Sequence, residues 1–277
     1  MDNLLNTSDG LIEREELWKS EDILAECVMA KSGDDYRNLR PLFKTIACLP
    51  VQTQSLNVRV VEARNRRLDN GDRDVDVKGM GIGESMDKKE EKGIGKIVDK
   101  RGGEDLSFDN TDALVTFEEN LPIGIVTADC VPVLVYAPDI KAVGAIHAGW
   151  KGTIGGIVDN VLDILMEKGA DLSRLMVFFG PSISQESYEV DEALGERFRN
   201  AGYSKYVAMN PITGKPHLDL QGINMERCLR RGVIESNISL HQGCSLKSVN
   251  ADGSFRYQSH RRSKGKAGRM LSYIMLR

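Results

Sequence analysis

The amino-acid sequence predicts an α/β fold in which a mixed β-sheet is covered by helices. Two apolar runs rich in Val and Ile, 123–136 and 141–147, indicate strands, and the turn residues Pro138 and Asp139 between them favour an antiparallel hairpin. Residues 153–168 repeat apolar side chains at i, i+3, i+4 and i+7, the spacing of an amphipathic helix. Because helices and strands are interleaved while neighbouring strands are also antiparallel, we expect a mixed sheet in one α/β domain.

Other segments supply the remaining elements. Residues 11–30 space their apolar side chains loosely for one helical face, and 57–62 predict a strand. For the helix at 153–168, Thr153 is a suitable N-cap and Gly169 a suitable C-terminal stop. The rest of the chain predicts a strand at 175–179, a helix at 191–200, a strand at 217–220, a helix at 221–231 and a final apolar segment at 270–276.

The composition changes at about residues 64–109. This stretch alternates acidic and basic residues and contains many glycines. Such a composition buries little apolar surface, so it predicts a polar mobile insertion within a single domain spanning residues 1–277. A lid over a functional site is the alternative interpretation.

The net charge of the chain bears on whether nucleic acid or a membrane is an expected binding partner. The chain has 37 basic and 41 acidic residues, for a net charge of −4, which gives no reason to expect nucleic acid or an anionic membrane. No apolar run approaches the roughly 20 residues of a membrane helix, and the acidic N-terminus has no apolar signal core. The five cysteines form no CxxC pair, so free thiols in a reducing, cytoplasmic compartment are expected.

Cys130 and His147 are the residues with the clearest chemistry. If the hairpin pairs positions whose numbers sum to about 277, the thiol and the imidazole face each other with Cβ atoms about 5 Å apart. A one-residue slip would separate them. The pair has three interpretations: a thiol nucleophile activated by histidine, two ligands of a zinc or copper ion, or an inert buried cysteine beside a hydrogen-bonded histidine.

Polar neighbours favour a functional interpretation of this pair. Asp129 can act as an acid or base or orient a ligand, although a cap at the strand end is the alternative. The glycine-rich segment 148–156 opens a helix, where backbone N–H groups and Lys151 can hold an anion. Farther along, Arg261 and Arg262 are suited to bidentate contacts with phosphate or carboxylate, unless they belong to a solvated surface loop.

Two motifs, TADCVPVLVYAP at 127–138 and AVGAIHAGWKGT at 142–153, resemble the laccase-domain family of polyphenol oxidases, purine nucleoside phosphorylases and peptidoglycan-editing factors. Further matches follow in order at 111–116, 180–183, 188–190, 218–220 with 224, 243–245, 260–262 and 268–269. The resemblance implies a cytosolic, single-domain layered sandwich.

The resemblance also implies a mononuclear metal centre of His, Cys and His, usually with zinc. Cys130 and His147 match the second and third ligands, whereas Gln54 occupies the place of the first. Because a glutamine oxygen is a poor zinc ligand beside a thiolate and an imidazole, we expect weak zinc binding. Copper is less expected, since four histidines cannot supply a multicopper site. Ser55 and Ser182 replace a glycine and a cysteine of the family pattern, and residues 25–35 lack its Gly-Gly-x-Ser segment.

The function implied by the resemblance is phosphorolysis of adenosine, inosine, guanosine and methylthioadenosine to a base and a ribose 1-phosphate, with adenosine deamination as a further activity. In deamination, a metal-bound water would be the nucleophile. Its partners would be a purine nucleoside and phosphate, with Lys151, Arg261 and Arg262 binding the anion. Two alternatives remain: a catalytically weakened or inactive member that acts as a binding protein, and a Cys–His hydrolase or deamidase.

Overall fold

The computed structural model describes residues 12–19, 22–30, 48–50, 52, 54–67, 73–82, 94–98, 104–108 and 110–277. Its strands are β1 (Ile12–Lys19), β2 (Ile23–Ala30), β3 (Cys48–Pro50), β4 (Val58–Arg67), β5 (Arg73–Ile82), β6 (Ile94–Val98), β7 (Glu104–Phe108), β8 (Ala113–Thr116), β9 (Ile123–Thr127), β10 (Val131–Ala137), β11 (Ala142–Ala148), β12 (Met176–Phe179), β13 (Val207–Met209), β14 (Pro216–Leu218), β15 (Ile238–Leu240) and β16 (Met270–Leu276). Its α-helices are α1 (Trp150–Gly155), α2 (Ile157–Glu167), α3 (Glu192–Phe198), α4 (Leu220–Arg230) and α5 (His260–Ser263).

The strands form two seven-stranded mixed sheets and a small two-stranded one. The first sheet has the order β1-β2-β16-β9-β3-β7-β6 and the second the order β15-β12-β10-β11-β8-β4-β5, while β13 pairs with β14. Both large sheets contain parallel and antiparallel neighbours. The predicted fold class, an α/β fold with mixed sheets covered by helices, is therefore confirmed.

The second sheet is the middle layer, because its strands bury both faces. Along β10, Val133 and Val135 pack with helix α2, whereas Leu134 and Tyr136 pack toward the first sheet. Successive side chains of a strand point to opposite faces, which explains this division. A strand covered on both sides is apolar at every position, and β10 and β11 are buried throughout.

Two sequence predictions for the N-terminal part are wrong. Residues 12–19 and 23–30, predicted as one helix, form the antiparallel strands β1 and β2, and β2 also pairs with β16. The predicted loop at 64–109 contains the end of β4 and the strands β5, β6 and β7. Pairing with neighbouring strands outweighs local composition there. The other positions of that stretch lie outside the described residues, and the single-domain organisation stays a prediction.

The helix predicted at 153–168 is divided in two. Gly156 has φ 87°, a left-handed conformation that ends α1 and begins α2. Its backbone position, and not Thr153, therefore caps the longer helix, so the predicted N-cap is wrong. The predicted stop is confirmed, because Gly169 has φ 98° just after α2. Within the described part of the chain, no helix has the length and apolar character needed to cross a membrane.

The strands predicted at 175–179 and 217–220 are confirmed as β12 and β14, and the final apolar segment is β16. The helices predicted at 191–200 and 221–231 are confirmed as α3 and α4. A π-helical turn, Arg199–Tyr203, follows α3, and Gly202 within it has a left-handed φ of 88°. Each difference at an element boundary is within two or three residues, the usual uncertainty of a sequence pattern.

Candidate active site

Cys130 and His147 lie at the end of the β10–β11 hairpin. The structure pairs Pro132 with His147, so paired positions sum to 279, and the predicted direct pairing of Cys130 with His147 is wrong. Cys130 lies in the bend that takes the chain from β9 of the first sheet to β10 of the second. The error is two positions, and a shift of two keeps a side chain on the same face. The thiol and the imidazole therefore remain neighbours.

His147 has its direct cross-strand partner on the other side of β11. In the β8–β11 ladder Ile146 pairs with Ala113, and the N–H of His147 donates to the carbonyl of Asp112 at 2.8 Å. The side chains of the pair also meet, with Nδ1 of His147 2.6 Å from Oδ1 of Asp112. Both side chains are buried, at 8% and 0% exposure. The carboxylate thus fixes the orientation of the ring and leaves Nε2 for another partner.

Asp112 is the site residue that the sequence reasoning missed. Its carboxylate also accepts hydrogen bonds from the backbone N–H of Gln54 at 3.1 Å and of Ser55 at 2.6 Å, and from the hydroxyl of Ser55 at 2.8 Å. It therefore connects the segment at 54–55 to His147. The signal for it was a Thr-Asp pair directly before an apolar strand, but the sequence does not reveal that β8 lies beside β11.

The segment that carries Gln54 is held at both ends. The side chain of Gln52 forms two hydrogen bonds with the backbone of Val126 on β9, at 2.8 and 2.9 Å. Beyond Gln54, the amide of Asn160 on α2 donates to the carbonyl of Leu56 at 2.9 Å. Gln54 itself has φ 57°, a left-handed conformation that is uncommon for a residue other than glycine. The side chain of Gln54 extends toward Gly149.

Gln54 and Cys130 meet over Gly149. A Cβ atom placed on Gly149 would lie 3.2 Å from Sγ of Cys130 and 3.4 Å from Oε1 of Gln54. The glycine therefore leaves open a point that both atoms border. Oε1 of Gln54 is buried and has no hydrogen-bond partner among the described residues. A buried oxygen without a donor is costly, so this atom is a natural acceptor for a ligand.

The electrostatics of the site couple its three ionisable groups. Burial lowers the pKa of His147, but the negative charge of Cys130 and the hydrogen bond to Asp112 outweigh it and raise that pKa to about 9. Burial raises the pKa of Asp112, yet its hydrogen bonds with His147 and Ser55 bring it below the ordinary value. Each partner therefore stabilises the charged form of the other.

Asp129 lies beside Cys130 but directs its carboxylate elsewhere. One oxygen accepts from the hydroxyl of Ser245 and the other from the backbone N–H of Arg261, both at 2.6 Å. Asp129 has φ 89°, in the bend between β9 and β10. These contacts connect the bend to the first turn of α5. They favour a positioning role for Asp129 over the acid or base predicted from the sequence.

The three basic residues predicted to bind phosphate have different surroundings. Arg262 donates to the carbonyls of Ser245, Leu246 and Tyr257 at 2.5–3.0 Å, contacts that favour a structural role. Arg261 uses one nitrogen on the carbonyl of Glu189, at 2.7 Å. Lys151 is exposed, with Nζ 5.6 Å from the centre of the Trp150 ring.

A surface cleft of about 440 Å³ adjoins the site. Its walls include two aromatic rings, two cations and two carboxylates: Trp150, Tyr188, Lys215, Arg261, Glu189 and Asp191. Burial and the charges of Cys130 and Asp129 raise the pKa of Tyr188 to about 12 against the opposing charge of Arg261. Tyr188 therefore lines the cleft and also feels the charge of Cys130, so the cleft is a candidate approach for a ligand.

The donors at the site do not make up a zinc centre of the usual kind. Catalytic zinc takes three protein ligands from His, Cys, Asp and Glu, and here only Cys130 and Nε2 of His147 are of that kind. Among the described residues no group of three or more such side chains could hold a metal ion. The third atom at this place, Oε1 of Gln54, is a neutral oxygen. The residues therefore do not fit the expected zinc, and zinc and copper stay predictions of the resemblance.

Comparison with known proteins assigns the chain to a family. The family whose model is described as multi-copper polyphenol oxidoreductase laccase matches residues 62–277. The chain belongs to this family. The resemblance predicted from the sequence is thereby confirmed, and the matched range includes Asp112, Cys130 and His147.

Two relatives carry enzyme names. The adenosine deaminase RL5 of an unknown prokaryotic organism is 33% identical over 199 residues, which cover 71% of this chain and 64% of that protein. The purine nucleoside phosphorylase of Deinococcus radiodurans is 38% identical over 165 residues, which cover 60% of this chain and 61% of that protein. The chain thus spans less than two thirds of the length of these two relatives. 

The fold is similar to a solved structure over nearly its whole length. The crystal structure of the Neisseria meningitidis protein NMB0706 matches with a TM-score of 0.62 and covers 96% of this chain and 99% of that chain. At 19% identity this likeness concerns the fold alone. The two chains therefore share an overall fold over nearly their whole lengths.

Proposed function

We propose that this laccase-family chain is an enzyme of purine nucleosides. The principal reaction is phosphorolysis of adenosine, inosine, guanosine and methylthioadenosine to a base and a ribose 1-phosphate, and hydrolytic deamination of adenosine is a second reaction. Relatives named purine nucleoside phosphorylase and adenosine deaminase support this proposal. The observation that carries it is the buried His147, held by Asp112, together with a nearby cleft whose wall residue Tyr188 feels the charge of Cys130.

The cleft has the chemistry that a nucleoside and phosphate require. Trp150 and Tyr188 offer aromatic surface for a base or a ribose, and Arg261 offers nitrogens to an anion. In phosphorolysis a phosphate oxygen bonds to C1′ while the bond from C1′ to the base nitrogen breaks. The departing base then takes up a proton, and His147 is the group at this site that moves protons.

A product analysis tests the proposal directly. The purified chain is incubated with inosine and with adenosine, each with and without phosphate, and the products are separated by chromatography. We expect hypoxanthine and ribose 1-phosphate from inosine only when phosphate is present, and inosine from adenosine without phosphate. No product from either nucleoside, in a folded sample, would contradict the proposal and favour a binding protein.

The two neighbouring arginines provide a matched pair for the phosphate site. Arg261→Gln should raise the KM for phosphate by roughly 10-fold or more, because it removes a cation that lines the cleft. Arg262→Gln should instead lower the melting temperature and leave the KM for phosphate within about 2-fold, since its guanidinium holds three carbonyls. The reverse result would return Arg262 to the anion site predicted from the sequence.

A further inference from the structure

Four side chains of different chemistry converge at the end of the β10–β11 hairpin. Cys130 supplies a thiol, His147 an imidazole whose Nδ1 is bound by Asp112, and Gln54 a buried oxygen without a partner among the described residues. A thiol, a base and a carboxylate that orients the base are the parts of a cysteine nucleophile. The set is complete without a metal ion, whereas a zinc centre would need a further His, Cys or carboxylate.

We propose that Cys130 is a metal-independent nucleophile that attacks the amino-bearing ring carbon of a purine nucleoside, C6 of adenosine. This inference rests on the proposed function, because it names the mechanism of deamination at the same site. His147 is the base and the acid of the reaction. Asp112 is a positioning residue that keeps Nε2 of His147 free.

The reaction balances without an oxidant or reductant. The proton of the Cys130 thiol passes to His147, Sγ bonds to C6, and N1 of the purine takes up that proton from His147. The bond from C6 to the amino nitrogen then breaks, and ammonia leaves with the proton returned through His147. Water next bonds to C6 and gives up a proton, the bond from C6 to Sγ breaks, and the thiol is restored. The sum is adenosine and water to inosine and ammonia.

The unpaired oxygen of Gln54 favours an amino group next to the attacked carbon. Oε1 of Gln54 and Sγ of Cys130 flank the same point over Gly149. A ligand that places an electrophilic carbon at the thiol and an N–H donor at the glutamine oxygen satisfies both atoms. The amino group on C6 of adenosine is such a donor, and a carbonyl at that position is not. The pair therefore selects a carbon that bears an amino group.

The thiols of Cys228 and Cys244 lack these features. Cys228 is buried in the core between the second sheet and the helices, where burial raises its pKa to about 12. Cys244 is hydrogen-bonded to the hydroxyls of Ser184 and Ser187 and has no imidazole among its contacts. Cys228 is thus a matched control for reactions of Cys130.

The experiment uses 6-chloropurine riboside, in which chloride replaces the amino group. Chloride leaves without a proton, and in an alkaline buffer hydroxide takes up the thiol proton, so the first bond to Sγ still forms when His147 is removed. The later water step still needs His147. The full chain is dialysed against EDTA, treated with the probe, quenched with acid and analysed by peptide mass spectrometry. We expect the wild type to release inosine, and His147→Gln to accumulate a thioether on Cys130 with loss of chloride.

Variants of Cys130 and Cys228, and removal of metal by EDTA, give the remaining tests of the inference. Cys130→Ser should form neither thioether nor inosine, Cys228→Ala should behave as wild type, and EDTA should leave adenosine deamination within about 2-fold. An unmodified Cys130 in every sample, or deamination that EDTA abolishes and zinc restores, would overturn the inference. If inosine is still cleaved with phosphate in such samples, the proposed function stands alone; if no nucleoside is converted, both fall. Should Cys130→Ser fail to fold, the mapped site of labelling in His147→Gln decides.

Discussion

Two charged contacts between distant parts of the chain show how differently this molecule uses ion pairs. His147 and Asp112 lie 2.6 Å apart with side-chain exposures of 8% and 0%. Arg231, the residue after α4, and Asp163 of α2 also form an ion pair, but their side chains are 26% and 47% exposed. The first pair is enclosed between β8, β11 and the segment at 54–55, whereas the second faces water along two helices.

The two ion pairs also differ in the groups that surround them. Asp112 accepts several hydrogen bonds and holds His147 by Nδ1, and Cys130 contributes to raising the pKa of the same imidazole. Arg231 also lies 3.9 Å from a second carboxylate, that of Asp159, and solvent screens the charges of this exposed contact. Burying two charges has a desolvation cost, so a buried pair indicates a functional site. An exposed pair mainly joins two elements.

The largest expected effect is the loss of activity when the buried site is opened. Cys130→Ala and His147→Ala should each lower the kcat of nucleoside conversion by roughly 10³-fold, because each removes a group that handles the proton or the bond. The fold should survive, with a far-ultraviolet circular dichroism spectrum like that of the wild type. Wild-type turnover by either folded variant would show that the buried pair is not the active site.

The next effect tests Asp112 as a positioning residue. Asp112→Asn keeps the shape of the side chain but removes its charge, so the kcat should fall by roughly 10²-fold with little change in KM. In ¹⁵N-labelled protein the two ring nitrogens of His147 should change their chemical shifts, which report the tautomer. Only four histidines are present, so the His147→Gln variant assigns these signals. Unchanged nitrogen shifts would reduce Asp112 to a purely structural role.

The same pair should make stability depend on pH in a defined window. The pKa of Asp112 is lowered from 3.8, so its stabilisation is present above that value and is lost as the pH falls below it. The pKa of His147 is raised from 6.5 to about 9, so its stabilisation is complete below 6.5 and is lost as the pH rises through 9. Urea titrations of wild type and Asp112→Asn should therefore differ most between pH 4 and 6.5.

The neighbouring positions of Cys130 and His147 could be predicted because side chains on a strand repeat with a period of two, so an even error in register leaves them on one face. The assumed hairpin register was wrong by two positions, yet Cys130 and His147 stayed neighbours because side chains repeat with a period of two. Asp112 could not be predicted in this way. It lies 35 residues before His147, and its position depends on β8 lying beside β11, which no local pattern reveals.

The prediction of the fold is limited in the same way, because local patterns do not reveal which strands pair. The apolar segment 270–276 forms β16 because it is buried between β2 and β9, where apolar composition and structure agree. Residues 12–19, with four glutamate or arginine residues in a row, have a helical composition but form β1 by pairing with β2. Tertiary pairing outweighs intrinsic propensity there, since propensity differences are only a few tenths of a kcal/mol per residue.

Changing one metal-donor atom of the buried site should change its affinity for zinc, which would further distinguish the buried site from the exposed ion pair. Gln54→His would place a second imidazole beside Cys130 and His147, which gives three zinc ligands of the usual kind. Histidine tolerates the left-handed φ of 57° better than most residues, so the variant should fold. We expect its zinc affinity by competitive titration to exceed that of the wild type by roughly 10-fold or more. Equal affinities would show that position 54 does not reach the metal.

The smallest effect belongs to the exposed pair. Alanine at Arg231 or Asp163 should lower the free energy of unfolding by less than about 1 kcal/mol, and the double-mutant coupling energy should be about 0.2–1 kcal/mol and shrink in high salt. Nucleoside turnover should stay within about 2-fold in all three variants, because neither side chain contacts the segment that holds His147. A coupling energy of several kcal/mol, or a lost activity, would mean that the exposed helix contact and the buried site are linked, and the contrast between them would fail.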